Sequence, residues 1–435
     1  MKKIFILIIS CFFLVRCASQ KIISGNRNLA RQFLDSRLAD DHFTGIKIIN
    51  ASHEKLLLDY NSDKLFTPAS NTKVVTFYIT DKILKDSIPS IEYCICNDSL
   101  FFSGLADPTF LHPDFEDQAS FTFLRNYPGK LVYVPTAMAD KKFGPGWAWD
   151  DYPFYFQPEK STFPLYGNCL WVSKDTTYNK LKIIPDLFEI VHIHSEDSTE
   201  TNEINRNERL NEFQFTYHQI PDSVDEVVPF ISSVTLVIDL LEDTLHVCVP
   251  SGNFPVTCEK KVIYSYPKDS VFRKLLVESD NFIAEQLALS GSYQIFGTFD
   301  SDSLLSYEMK KYFPGWKDKI KWRDGSGLSR YNMMSPEFLT WLLTKIYREN
   351  DWDRIVSLFP DGGREGTLKG LHQSTKPYIF AKSGSMTGVY NLSGYLLTDN
   401  GNTLIFSFMN NNFNRPVRDI RSDVEDYLLL IKKNY

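Results

Sequence analysis

Three short segments of the chain combine residue types capable of nucleophilic chemistry. The first is Ser70-Asn71-Thr72-Lys73, a hydroxyl and an amine three positions apart at the head of an apolar run. This spacing stacks Lys73 one helical turn beyond Ser70, within reach of its oxygen. A lysine buried in an apolar helix must lose its charge or find partners, and a lowered pKa suits a general base. Backbone N–H groups at a helix start can assist an oxyanion. The spacing alone decides little, because Ser-x-x-Lys recurs at Ser52/Lys55 and Ser265/Lys268. A serine following Pro68 and Ala69 is also an expected helix N-cap.

The second segment is Ser279-Asp280-Asn281, between helical stretches at 269–278 and 282–289, where a turn would present Ser279 and Asn281 to a common cleft. Ser-x-Asn also occurs at Ser24/Asn26 and Ser251/Asn253, so this pattern too is weak by itself. The third is Lys382-Ser383-Gly384, ending the strand-like run "YIFAKSG". Lysine offers a cation for a carboxylate, Ser383 a hydroxyl, and Gly384 lets a substrate backbone approach the strand. His192 and His194 form an H-x-H, but no third ligand follows at convincing spacing, so neither metal nor other cofactor is expected. There is no G-x-S-x-G, and a hydroxyl-lysine pair needs no histidine.

Several elements must hold these groups in place. Val74, Val75, Phe77, Tyr78, Ile79, Ile83 and Leu84 are apolar on nearly every helical face, which predicts a centrally buried helix behind Ser70. "FTGIKIIN" and "KLLLDYN" read as a hairpin, with Leu29, Phe33, Leu34 and Leu38 at helical spacing before it. "KPYIFAKSG", "NLSGYLLT" and "TLIFSFMN" read as three more strands, followed by an amphipathic helix through Val417, Ile420, Val424, Leu428 and Ile431. Together they predict one antiparallel five-stranded sheet flanked by terminal helices. Residues 88–262 look different: short runs such as "KLVYVP", "FEIVHIH" and "VTLVIDLLEDTLHVCV", separated by turn residues, suggest a β-rich insertion. The expected organisation is a leader at 1–17, one domain from 24–87 plus 263–435, and the inserted 88–262.

Lys2 and Lys3 before the apolar stretch Ile4 to Val15 read as a secretory signal, too short for a mature membrane span. Cys17 sits where a lipoprotein signal places its acylated cysteine, although Arg16 departs from the usual small residue. The chain is thus expected to be exported, periplasmic and lipid-anchored. Its net charge of −7, without a basic stripe, argues against nucleic acid as a partner. Aromatics make up 14% of residues, and Trp147, Trp149 and Tyr152 are expected to pack between domains more than to line a glycan surface. Beyond the leader, Cys94, Cys96, Cys169, Cys248 and Cys258 are an odd set for an oxidising compartment. Cys248–Cys258 across a hairpin-like turn is the expected disulfide, since Cys94 and Cys96 lie two apart on one strand.

Taken in order, Ser-x-x-Lys on a buried helix, Ser-Asp-Asn between helices and Lys-Ser-Gly on a strand make up the motif set of class A β-lactamases and penicillin-binding proteins. "WRDGSGLSRYNMMSP", "GGREGTL" and "AKSGSMTGVYNLSGYL", with "GLADPTF" and "FGPGWAWDDYPF" in the insertion, resemble peptidase family S13. These are D-alanyl-D-alanine carboxypeptidases and endopeptidases, the low-molecular-mass class C penicillin-binding proteins. The resemblance implies an α/β (α+β) transpeptidase-like fold and a serine peptidase acting on peptidoglycan stem peptides ending in D-Ala-D-Ala, with β-lactams as covalent inhibitors. It implies Ser70 as nucleophile, Lys73 as base, Ser279 as proton relay and Asn281 as amide ligand. Lys382 and Ser383 would bind the terminal carboxylate beside Gly384, and the Ser70 and Ser385 N–H groups would form the oxyanion hole. Two departures stand out. Ser383 replaces a commoner threonine, and "GTLKGLH" lacks a basic residue expected slightly further on. The alternatives are a β-lactamase or esterase-like hydrolase of the same fold, or a cell-wall-binding homologue without catalysis.

Overall fold

The computed structural model describes residues 23–175, 180–196, 203–218 and 224–435; the expected leader and Cys17 lie outside them. Six antiparallel strands form the main sheet: β1 (Ile23–Gly25), β2 (Phe43–Asn50), β3 (Leu56–Tyr60), β4 (Ile379–Met386), β5 (Val389–Leu397) and β6 (Thr403–Asn411). Their spatial order is β1-β3-β2-β6-β5-β4, so the first and last parts of the chain meet where β6 pairs with β2, Phe408 opposite Ile46. Five of these strands match the expected set. The sixth, β1, is three residues long and too short for any side-chain alternation to announce it.

Both faces of the sheet are covered, which explains why β5 and β6 are buried almost throughout rather than at alternate residues. On one face Ile405, Met409 and Tyr395 pack against α2 (Thr72–Ile83), α3 (Lys268–Val277), α4 (Asn281–Phe296) and α5 (Pro336–Glu349). On the other, Phe406, Phe408 and Leu392 meet the terminal helices α1 (Arg27–Leu34) and α6 (Val417–Asn434). Every residue of α2 from Thr72 to Thr80 is buried, as an all-round apolar helix requires.

Residues between α2 and α3 build a separate core around Phe102, Phe163, Leu170, Phe213 and Leu241. Three small sheets contribute to it. The segment "VTLVIDLL", read from sequence as strand-like, is instead part of the helix Val234–Leu245. Its buried Val237, Leu240, Leu241 and Leu245 recur at helical spacing, and the Ser233 side chain caps it by accepting from Leu236 N. The expected Cys248–Cys258 bridge does not form; Cys258 is bonded to Cys94, with Cα atoms 5.9 Å apart. The reason is strand register. Lys261 pairs with Tyr93, so the chain just before Lys261 runs beside Cys94 rather than folding back on Cys248. Cys96, Cys169 and Cys248 remain thiols. Among the described residues, no helix is long and apolar enough to cross a membrane.

Candidate active site

Ser70 lies in a single 3-10 turn, Ala69–Asn71, that leads into α2. It is not the helix cap that its sequence position suggested. Asn71 holds the cap position and makes no side-chain cap bond, because its Nδ2 donates to Lys382 O across to β4 (3.1 Å). Asn391 of β5 tightens the same turn by donating to Thr67 O (2.9 Å) and Pro68 O (2.8 Å). Two glycines permit this close packing. A Cβ on Gly384 would lie 2.7 Å from Pro68 O and 2.9 Å from Ser70 N; one on Gly327, whose φ is +86°, would lie 1.9 Å from Ala69 O.

Lys73 is wholly inaccessible to solvent. Its Nζ donates to Ser70 Oγ (2.9 Å), Asn281 Oδ1 (2.6 Å) and Ser326 O (2.7 Å). Burial pulls its pKa from 10.5 down to about 8, against the opposing pull of Asp280, Asp324 and Glu285. Asn281 reaches it because α3 stops at Val277 and the chain reverses through Ser279, whose φ is +63°. Asp280 then starts α4 by accepting from Ile283 N (2.8 Å), which leaves Asn281 in its first turn. The second amide hand of Asn281, Nδ2, donates to Phe156 O of the insertion (2.8 Å).

On β4, Ser383 Oγ donates to Thr367 Oγ1 (2.7 Å) and Ser385 is exposed. Lys382 is different from expectation. It is fully buried, its Nζ donates to Ser383 O (2.8 Å), and burial together with neighbouring Lys73 holds its pKa well below the ordinary lysine value. Its side chain therefore does not line the open cleft. Ser70, Ser279, Asn281, Ser383 and Ser385 all line one cleft of about 900 Å³, whose opposite wall is built by the insertion.

Sequence reasoning missed the buried loop behind Lys73. Asp324 organises the loop 324–332 by accepting from Gly327 N (2.8 Å), Ser329 N (2.6 Å) and Asn332 Nδ2 (2.6 Å). It also accepts from Trp147 Nε1 of the insertion (2.9 Å), so Trp147 packs between the two parts of the chain as expected while Trp149 is 73% exposed. Glu285 accepts from Ser326 N (2.7 Å), directly behind the carbonyl that holds Lys73. Burial, reinforced by Asp324, raises the Glu285 pKa from 4.5 to about 7, against Lys160 and the bonds from Ser326. The turn-rich "DGSG" was the available signal for a backbone carbonyl ligand. His192 and His194 lie instead on the exposed strand Ile190–His194 of the insertion, and no group of three possible metal ligands occurs among the described residues.

A serine paired with a buried lysine at a helix start, an Asn contributed by a turn between helices, and a Lys-Ser-Gly edge strand on an antiparallel sheet together define a penicillin-recognising serine peptidase. The chain belongs to the D-Ala-D-Ala carboxypeptidase 3 (S13) family, whose pattern matches residues 26–216 and 261–429, and it is a serine-type D-Ala-D-Ala carboxypeptidase. It is 22% identical over 416 residues, 86% of either chain, to the D-alanyl-D-alanine carboxypeptidase DacB of Haemophilus influenzae. Its fold matches the crystal structure of penicillin binding protein 4 from that organism with a TM-score of 0.74, at 21% identity, over 93% of this chain and 100% of the other. A predatory endopeptidase from Bdellovibrio bacteriovorus, solved with an immunity protein, matches with a TM-score of 0.51 at 13% identity, over 89% of this chain and 94% of the other.

Proposed function

We propose that Ser70 is the nucleophile and Lys73 its general base in cleavage of peptidoglycan stem peptides after the penultimate D-alanine. The observation that carries this is the placement of a solvent-free Lys73 amine against both Ser70 Oγ and Asn281 Oδ1. With a pKa near 8, a useful fraction of Lys73 is neutral at physiological pH and can accept the Ser70 proton. Ser70 Oγ then bonds to the carbonyl carbon, and the oxyanion is met by the N–H groups of Ser70 and Ser385. As the C–N bond breaks, the proton passes through Ser279 to the departing amine. Water hydrolyses the Ser70 ester, releasing the shortened peptide and restoring the hydroxyl.

Asn281 orients Lys73 and the substrate amide, and Ser383 and Ser385 offer donors to the terminal carboxylate beside Gly384. Lys382, buried next to Lys73, tunes the proton network rather than facing the ligand. The same serine serves carboxypeptidase and D,D-endopeptidase cleavage, since both present a D-alanyl carbonyl. We read residues 24–87 and 263–435 as the peptidase domain and 88–262 as its insertion, a division supported by the insertion's own core around Phe102, Phe163 and Leu241. Cys17, at the end of the leader, is assigned as the acylated residue of a periplasmic lipoprotein; replacing it with alanine is expected to move the protein from the membrane to the soluble fraction.

The test is labelling by a fluorescent penicillin. The mature protein is expected to form a stable adduct and Ser70→Ala none; equal labelling of both would remove Ser70 from this role. Mass spectrometry of digested muropeptides then separates loss of terminal D-alanine from opening of crosslinks.

A further inference from the structure

The buried position of Lys382 leaves a gap in the chemistry. A peptide ending in D-alanine brings a carboxylate into the cleft, and a cation that can meet it must be open to that cleft. Three cationic side chains line it: Lys274, Arg330 and Arg421. Lys274 is paired with Asp114 at 2.6 Å. Arg330 lies where it offsets the charge of Asp151, on the insertion side.

Arg421 stands apart. It belongs to α6, on the sheet face opposite the catalytic helices, and lines the same cleft as Thr367, Ser383 and Ser385. Its guanidinium sits 5.4 Å from the centroid of the Tyr390 ring, and Tyr390 is the cross-strand partner of Ser385. The neighbouring acid on its helix, Glu425, is engaged elsewhere, accepting from His372 N (2.7 Å). The buried Arg421 Nε has no hydrogen-bond partner among the described residues.

We propose that Arg421 is the specificity-determining cation of this enzyme, receiving the free α-carboxylate of the leaving D-residue together with the hydroxyls of Ser383 and Ser385. A guanidinium keeps its charge even in a low-dielectric site, and its planar fork matches a carboxylate. The aromatic face of Tyr390 holds it in position, which lowers the ordering cost of binding. The proposal rests on the Ser70 reading of this cleft.

The experiment compares kcat/KM for two matched peptides ending in D-Ala-D-Ala, one with a free carboxylate and one with a C-terminal carboxamide. For Arg421→Gln, the ratio of carboxylate to carboxamide activity is expected to fall by about 10- to 100-fold, the range for a charge-assisted pair, chiefly through KM. Arg421→Lys is expected to fall between the two, and acylation by penicillin, which carries a carboxylate, to drop more than acylation by an uncharged sulfonyl fluoride. An unchanged ratio in Arg421→Gln, or an equal loss on both peptides, overturns the proposal. Failure of the underlying reading looks different: Ser70→Ala would then cleave the peptides as the unaltered enzyme does, while the Arg421 ratio still reports on the arginine.

Discussion

Replacing Asn281 with aspartate probes the electrostatic setting on which the base depends. At pH 7 a lysine with a pKa near 8 is neutral in about one molecule in eleven, against about one in 3,000 at the ordinary 10.5. The substitution puts a carboxylate oxygen where the amide oxygen lies 2.6 Å from Lys73 Nζ. At an effective dielectric constant of about 20 that contact is worth roughly 6 kcal/mol, and partial exposure of Asn281 to the cleft argues for about half. A negative neighbour raises the pKa of an ammonium, so Lys73 stays protonated to higher pH and is a poorer acceptor below it. About 3 kcal/mol removes roughly 100-fold of the neutral amine at pH 7. The assay is the second-order rate of acylation by penicillin from pH 6 to 10. The unaltered enzyme is expected to gain tenfold per pH unit and level off near pH 8, and Asn281→Asp to keep rising toward pH 10. Asn281→Ala, which loses the same bond to Phe156 O without adding charge, serves as control: slower, but without the alkaline shift. A break at the same pH in the aspartate variant, or a flat profile in the unaltered enzyme, would show that Lys73 is not the titrating base.

Two further outcomes follow from the packing around this base. Gly384→Ala sets a methyl 2.7 Å from Pro68 O and 2.9 Å from Ser70 N; an overpacking cost of about 1–3 kcal/mol, concentrated on the nucleophile turn, is expected to slow penicillin acylation by about 10- to 100-fold, and near-normal acylation would count against that contact. Glu285 has its folded pKa raised to about 7, so on raising the pH the unfolded chain ionises first and the folded state loses stability between about pH 4.5 and 7, by up to about 3 kcal/mol. Glu285→Gln keeps an acceptor for Ser326 N and removes this dependence, so its melting temperature should overtake that of the unaltered protein progressively from pH 5 to 8; parallel curves would contradict the buried ionisation.

Much of the framework was readable in the linear chain because burial leaves local signatures. The all-round apolar pattern of α2 announced a central helix, and long β-rich runs announced five of the six main strands. Readings went astray where two local patterns compete or where the partner is remote. In "VTLVIDLL", branched residues favoured a strand, but tertiary packing used the helical spacing of Val237, Leu240, Leu241 and Leu245. Cys248 lay nearest to Cys258 along the chain, yet the pairing of Lys261 with Tyr93 brought Cys94 there from 164 residues away. Ser70 looked like a cap because capping is local, whereas the bonds that hold its turn come from Asn391 and Lys382.

By itself the sequence determined which reactive groups exist and in what order: Ser70 and Lys73, then Ser279 and Asn281, then Lys382, Ser383 and Gly384, each in a local context able to present it. Only the tertiary structure decided their protonation and exposure. Desolvation depends on everything packed around a group, so the lowered pKa of Lys73, the burial of Lys382 and the arrival of Arg421 from the far face of the sheet are properties of the assembled core. Side chains hundreds of residues apart along the chain become neighbours through strand pairing. No local pattern encodes the field that those neighbours create.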